Sequence, residues 1–232
     1  MRIDKYLSNL KYGSRSEVRT FIKNGLVKVN NKVINDSHFK IDPNKDLIHF
    51  DNEEIIYFDE LNIMLNKPCG YLSANKDDLH KVAIDLIKEP YNRYDLKIAG
   101  RLDLNSSGIL LLTTNGKLAH ILTSPNSKID KEYEVVIDKS INNYNDLLKG
   151  VIIKDGKNND YLAKALKINK INDKTFHIVI NEGKFHQVRR MFLYLGANVL
   201  KLKRVRYGNL TLGDLKEGEY KLFKREDVLW QS

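Results

Sequence analysis

The sequence predicts an α+β protein: a small basic unit first, then a larger domain in which helices flank a mixed, largely antiparallel sheet. Three observations predict it. Residues 1–50 pass from helical spacing into short alternating segments with turn signals. Beyond residue 60, strand-like segments recur between short helical patterns. The chain has 232 residues, 42% hydrophobic and 30% charged, which suits a folded protein with one small and one medium domain.

Ile3, Tyr6, Leu7 and Leu10 fall at helical spacing, and Gly13 is expected to stop that helix. Ser14 or Ser16 can cap a second helix with Val18, Phe21 and Ile22 on its apolar face, ended by Asn24-Gly25. Leu26 to Val29 alternates as a strand, Asn30-Asn31 turns, and Lys32-Val33-Ile34 returns. Leu47 to Phe50 closes the unit. The acidic stretch 51–60 places a boundary between a domain of residues 1–58 and one of 59–232. In the second, strands are predicted over Ile63–Leu65, Ile109–Thr113, Glu132–Ile137, Ala163–Ile168 and Thr175–Ile180. Helices are predicted over Val82–Ile87, Leu118–Leu122, Tyr144–Leu148 and Val188–Leu195.

Several classes are set aside by composition. The longest aliphatic run, Ile109 to Leu112, is four residues, too short for a bilayer. The charged start Met1-Arg2-Ile3-Asp4-Lys5 lacks the apolar stretch of a secretory signal. The single cysteine, Cys69, has no internal partner, which points to a reducing cytoplasm. His38, His49, His80, His120 and His177 show no metal spacing, and no phosphate-cradling glycine motif occurs. Neither metal nor cofactor is expected.

The net charge of +9 is concentrated in two zones. Residues 1–33 carry eight Lys/Arg against Asp4 and Glu17, and residues 184–206 carry seven with no acid. Two separated basic zones on a near-neutral body suit a polyanion held at two places. Arg15, Arg19 and Lys23 recur at i, i+4 and i+8 on one helix face, beside Lys28 and Lys32. Such a stripe is a binding surface or merely a solvated face.

Candidate chemistry centres on Gly100-Arg101-Leu102-Asp103-Leu104-Asn105-Ser106-Ser107-Gly108, a polar loop before the apolar run Ile109–Leu112. An acid in a loop carried by a buried strand is where reactive groups concentrate. By itself, Arg101 with Asp103 also fits a structural ion pair. Two more segments stand out: Lys131-Glu132-Tyr133-Glu134-Val135, a tyrosine on a strand, and Glu182-Gly183-Lys184-Phe185-His186-Gln187-Val188-Arg189-Arg190-Met191, a loop entering a basic helix.

The helix, basic helix and GLVKVNNKVI order of residues 1–50 resembles the S4 RNA-binding domain. GRLD, KEYEV and EGKFHQVRRM, with Asn66-Lys67-Pro68-Cys69-Gly70-Tyr71 and the ending Gly218 to Leu222, resemble the RsuA family of ribosomal RNA pseudouridine synthases over nearly the whole chain. One departure is Ser106, where threonine is more usual; the hydroxyl is kept.

The resemblance implies that Asp103 is the catalytic aspartate, that Tyr133 lies against the target base, and that Arg189 is the cation beside the aspartate. Arg101 would help displace the target nucleotide, and Lys184, His186 and Arg190 would contact RNA with Arg15, Arg19, Lys23 and Lys28. The implied reaction breaks the C1′–N1 bond of uridine and rejoins uracil through C5. Glycoside hydrolysis takes two carboxylates because water must be activated. An isomerase excludes water, so one suffices. Asp103 can attack C1′, attack C6 or take the 2′-proton. The implied partner is ribosomal RNA, 16S in a small-subunit assembly intermediate, with no membrane, acted on by a monomer. The same reaction on 23S rRNA and a non-enzymatic S4-type assembly factor are the alternatives.

Overall fold

The computed structural model of the chain describes residues 1–228. Helix α1 spans Ile3–Asn9 and buries Ile3, Tyr6 and Leu7. It ends before Gly13: Leu10 is the C-cap, and Lys11 takes a left-handed backbone with φ 58°. The predicted glycine stop is therefore one turn late. Helix α2, Arg15–Lys23, is opened by Ser14 rather than Ser16, through a reciprocal capping box with Glu17. The hairpin β1 (Val27–Val29) and β2 (Lys32–Val33) turns at Asn30-Asn31, both left-handed at φ 49° and 66°, as a two-residue hairpin requires. β3 (Ile48–Phe50) pairs with β1, and β4 (Glu53–Glu54), hidden in the acidic stretch, pairs with β3.

The described residues form two compact units, and the first is not contiguous: it takes 1–61 together with 87–96. The sequence boundary at 58/59 leaves residues 87–96 on the far side of it, and aromatic packing gathers them into the first compact unit. Phe58 meets Tyr91 and Tyr94 at ring distances of 5.6 and 5.7 Å. The Tyr94 hydroxyl donates to Ile56 O at 2.9 Å and accepts from Phe58 N at 3.1 Å. The Arg93 guanidinium lies 4.1 Å from the Tyr12 ring centre.

The second unit is built on β5 (Asn62–Lys67), β6 (Lys97–Ala99), β7 (Ser107–Thr113), α3 (Gly116–Thr123), β8 (Lys131–Ile137), α4 (Asp146–Lys149), β9 (Val151–Lys154), β10 (Asp160–Ala163), β11 (Lys167–Lys170), β12 (Thr175–Ile180), α5 (Gln187–Tyr194), β13 (Val199–Tyr207), β14 (Leu210–Thr211), β15 (Tyr220–Leu222) and α6 (Arg225–Val228). Its main sheet runs β11-β12-β8-β13-β7-β5-β15, with β14 beside β13 and β6 beside β7. Among the described strand pairings of this sheet only β13–β7 is parallel, so the sheet is mixed and largely antiparallel. Every residue of β7 is buried, as its unbroken apolar run requires. One core gathers Met64, Ile109, Leu111, Leu118 and Leu122; another packs Phe176, Ile178, Met191 and Phe192.

Two local expectations are corrected, and one element was not foreseen. Val82–Ile87 gives only a 3-10 turn, Ala83–Leu86. The strand expected over Ala163–Ile168 is divided, because Ala165 N turns away to bond Leu147 O at 2.8 Å. The largest omission is β13, whose Lys-Leu-Lys-Arg-Val-Arg lies in the basic zone 184–206 with no element predicted for it, and is a central strand.

Candidate active site

The loop of residues 101–106 enters β7 through Gly108, whose φ is 104°. A Cβ there would lie 2.2 Å from Arg204 O, so only glycine lets β7 and β13 approach so closely. Three side chains fix the loop. Buried Ser73 donates to Leu102 O at 2.8 Å and accepts from Leu102 N at 3.0 Å. Arg189 Nη2 donates to Asn105 O at 3.0 Å and to Ser106 Oγ at 3.3 Å. Arg204 Nη1 donates to Arg101 O at 3.4 Å.

Asp103 projects from this fixed loop with its side chain 31% exposed. Arg189 Nε stands 3.9 Å from one carboxylate oxygen, and His186 Nε2 stands 3.6 Å from the other. Neither distance is a hydrogen bond. Arg189 Nε is itself buried and unbonded, while Nη1 is anchored on Val199 O at 2.9 Å. The carboxylate thus faces an arginine held by other partners and a histidine stacked on Phe185, and its lone pairs stay open to a ligand. His186 starts α5 from a left-handed backbone, φ 52°, and stacks on Phe185 at 3.9 Å.

Tyr133 on β8 is 7% exposed, and its hydroxyl accepts from Arg204 Nη1 at 3.4 Å. Arg204 lies directly opposite Tyr133 in the β13–β8 register. Lys67, at the end of β5, is fully buried and donates to Pro68 O and Tyr71 O, each at 2.9 Å. Burial pushes its pKa down to about 8, against the opposing pull of Cys69 and Asp103.

The structure thus brings Asp103, Arg189 and His186 together and separates other expected RNA contacts by their engagements. Arg101 and Lys184 are exposed, the latter with its ammonium 5.1 Å from the Tyr161 ring centre. Arg190 is committed to the protein: it donates to Lys154 O and, at 2.7 Å, to Asp155 O, and lies over Phe185. In the first unit Arg15 and Lys23 are exposed, but Arg19 Nε reaches Asp4 at 3.3 Å and Lys28 donates to Asn52 at 2.8 Å. Sequence reasoning missed Arg204 and the burial of Lys67. The available signals were the Leu202–Arg204 alternation and a lysine two residues beyond the apolar run Ile63–Leu65. Cys69 is exposed, and no three His, Cys, Asp or Glu residues cluster for a metal among the described residues.

The family model described as RNA pseudouridylate synthase matches residues 62–194, the stretch holding Asp103, Tyr133 and Arg189. The chain belongs to that family. The S4 domain model matches residues 1–47 of this pseudouridine synthase. The synthase is 36% identical over 231 residues to YtzG, an uncharacterised RNA pseudouridine synthase of Bacillus subtilis (strain 168), covering 98% of this chain and 97% of the relative. It is 34% identical to the ribosomal small subunit pseudouridine synthase A of Vibrio cholerae, covering all of both chains. A solved pseudouridylate synthase superposes with a TM-score of 0.66 at 30% identity, covering 98% of each chain.

Proposed function

We propose that this synthase converts one uridine of small-subunit 16S ribosomal RNA to pseudouridine, with Asp103 as the reactive carboxylate, Arg189 as its cationic neighbour and Tyr133 against the uracil. The observation that carries the chemistry is Asp103 itself, an aspartate whose carboxylate takes no hydrogen bond from the described residues, in a loop clamped by Ser73, Arg189 and Arg204. Such a group is free to meet a substrate and too well fixed to wander from it. Attack on C1′, attack on C6 and removal of the 2′-proton each need the ionised form. The phenol of Tyr133 supplies a flat face for uracil and a hydroxyl for the proton leaving C5. The target nucleotide must leave its stack, at a cost of a few kcal/mol that protein contacts offset.

The small-subunit assignment is supported by relatives named for that substrate in Vibrio cholerae and in Escherichia coli (strain K12), the latter 31% identical over 98% of both chains. In this reading residues 1–58 hold the RNA by shape and backbone, with Arg15 and Lys23 as phosphate contacts, and residues 59–232 perform the reaction without a cofactor, as a monomer in the cytoplasm.

The test is to map pseudouridine in 16S and 23S rRNA from cells with and without the gene. Loss of one 16S pseudouridine, restored by the native protein and not by Asp103→Asn, is the expected result. A loss confined to 23S rRNA overturns the small-subunit assignment, and no loss in either overturns the ribosomal one.

A further inference from the structure

Arg204 is a buried cation without a carboxylate. It is 2% exposed, and no acid pairs with it among the described residues. Its guanidinium is held by neutral acceptors from three places. Nε donates to Ile109 O on β7 at 2.8 Å, and Nη1 is shared between Arg101 O and the Tyr133 hydroxyl, each at 3.4 Å. Nη2 is buried with no hydrogen-bond partner among the described residues. The Tyr207 and Tyr133 rings lie 5.0 and 6.0 Å from the guanidinium carbon.

Stability does not explain this choice. Burying a guanidinium with an unmet donor and no counter-ion is costly, and apolar side chains often replace such groups without loss. The same charge also disfavours its neighbours: Lys67 and Lys131 both have pKa values lowered to about 8, by burial first and with Arg204 as a further cause. What an apolar residue would not do is join the Asp103 loop to the Tyr133 hydroxyl. A lysine would not do it either, since a single ammonium lacks the planar fork that meets Ile109 O, Arg101 O and the phenol together.

We propose that Arg204 is a positioning residue, a bracket that sets the Tyr133 hydroxyl at a fixed place relative to the Asp103 loop so that both groups meet one uracil. This rests on the proposed function, in which Asp103 and Tyr133 act on the same base. It assigns a role in turnover to a residue that touches neither the carboxylate nor, in this reading, the RNA.

The experiment is a double-mutant cycle on single-turnover rates, using the full chain and a 16S rRNA fragment carrying the target uridine. Arg204→Met is expected to slow the native enzyme by roughly a hundredfold, the scale of a displaced reacting group, with RNA affinity unchanged. In the Tyr133→Phe background, where the bracket has lost one end, the same change is expected to cost about threefold or less, a coupling that distant sites do not show. Arg204→Lys, which keeps the charge, is expected to remain slow. Equal losses in both backgrounds, a native rate for Arg204→Met, or full rescue by lysine would each overturn the bracket. Should Arg204→Met fail to fold, Arg204→Gln takes its place in the cycle. Asp103→Asn is measured alongside. If it stays active, the proposed function fails. If it is inactive while Arg204→Met is fast, only the bracket fails.

Discussion

Asp4 and Asp103 each face two basic side chains, yet the two sites are built for opposite ends. Asp4, in the first unit, is 2% exposed and fully engaged: Arg2 grips it with two hydrogen bonds of 3.0 and 2.6 Å, and Arg19 adds a third at 3.3 Å. Those bonds, Arg2 foremost, hold its carboxyl below the usual carboxylate range. Asp103, in the second unit, has neighbours at 3.6 and 3.9 Å that stop short of bonding, because His186 is turned by its own backbone and Arg189 is spent on Val199, Asn105 and Ser106. Asp4 has its lone pairs filled by bonded arginines, and Asp103 has its own left open beside an Arg189 that is bonded elsewhere.

The largest effect expected from this contrast is on rate. Asp103→Asn should lower turnover on the order of ten-thousandfold or more, about 5 kcal/mol of barrier. Stability should move by no more than about 0.5 kcal/mol, since no hydrogen bond is lost. RNA affinity should hold or rise as one repulsion with phosphate disappears. A variant with a tenth of native activity would make Asp103 another structural acid.

Next comes Tyr133→Phe, which keeps the ring and removes the hydroxyl. It should bind RNA normally and slow the release of tritium from C5-labelled uridine by roughly a hundredfold to ten-thousandfold, the range for losing a general base. Release at native speed would leave the ring as a stacking surface alone.

Asp4→Ala should do the reverse of Asp103→Asn. Urea unfolding should show a loss of about 1.5–3 kcal/mol, the worth of hydrogen bonds to a charged group, with the single-turnover rate at saturating RNA unchanged. The folded pKa of Asp4 lies below its ordinary 3.8, so its stabilisation is present above that value and is lost as pH falls through the lower folded one. The gap between native and variant stability should therefore close in acid. A gap that persists there would mean that packing, not charge, is at work.

The smallest effect separates free from engaged arginines on α2. Arg15→Ala and Lys23→Ala should each make the slope of log affinity against log salt shallower by roughly 0.7 to 0.9. Arg19→Ala should change the slope less and the stability more, because Asp4 already holds Arg19. Equal slopes for all three would erase the distinction.

How much of this was legible follows the range of the forces involved. The expected nearness of Arg189 to Asp103 is met at 3.9 Å, and it was legible because their segments are short and chemically unusual. Arg190 and Arg19 were read as RNA contacts because sequence shows a cation's sign and not its occupation; Lys154, Asp155 and Asp4 are the partners that occupy them. That residues 87–96 cluster with the first unit is not legible in the sequence, because Phe58, Tyr91 and Tyr94 meet across some thirty residues of intervening chain and no local pattern encodes that meeting.

The sequence by itself determined what depends on neighbours in the chain. The Ser14–Glu17 capping box, the left-handed Asn30-Asn31 turn and the all-buried β7 are set by side chains within a few residues of the backbone they shape. The tertiary structure alone decided the fate of Lys201 to Arg206. As a local segment it is basic and half-polar, and only insertion between β7 and β8 makes it central. Once there, alternation turns Leu202 and Arg204 to the inside and leaves the neighbouring lysines less buried. Arg204 therefore faces inward and Lys201 outward because the strand pairing with β7 and β8, far away in the chain, fixes which side each residue shows.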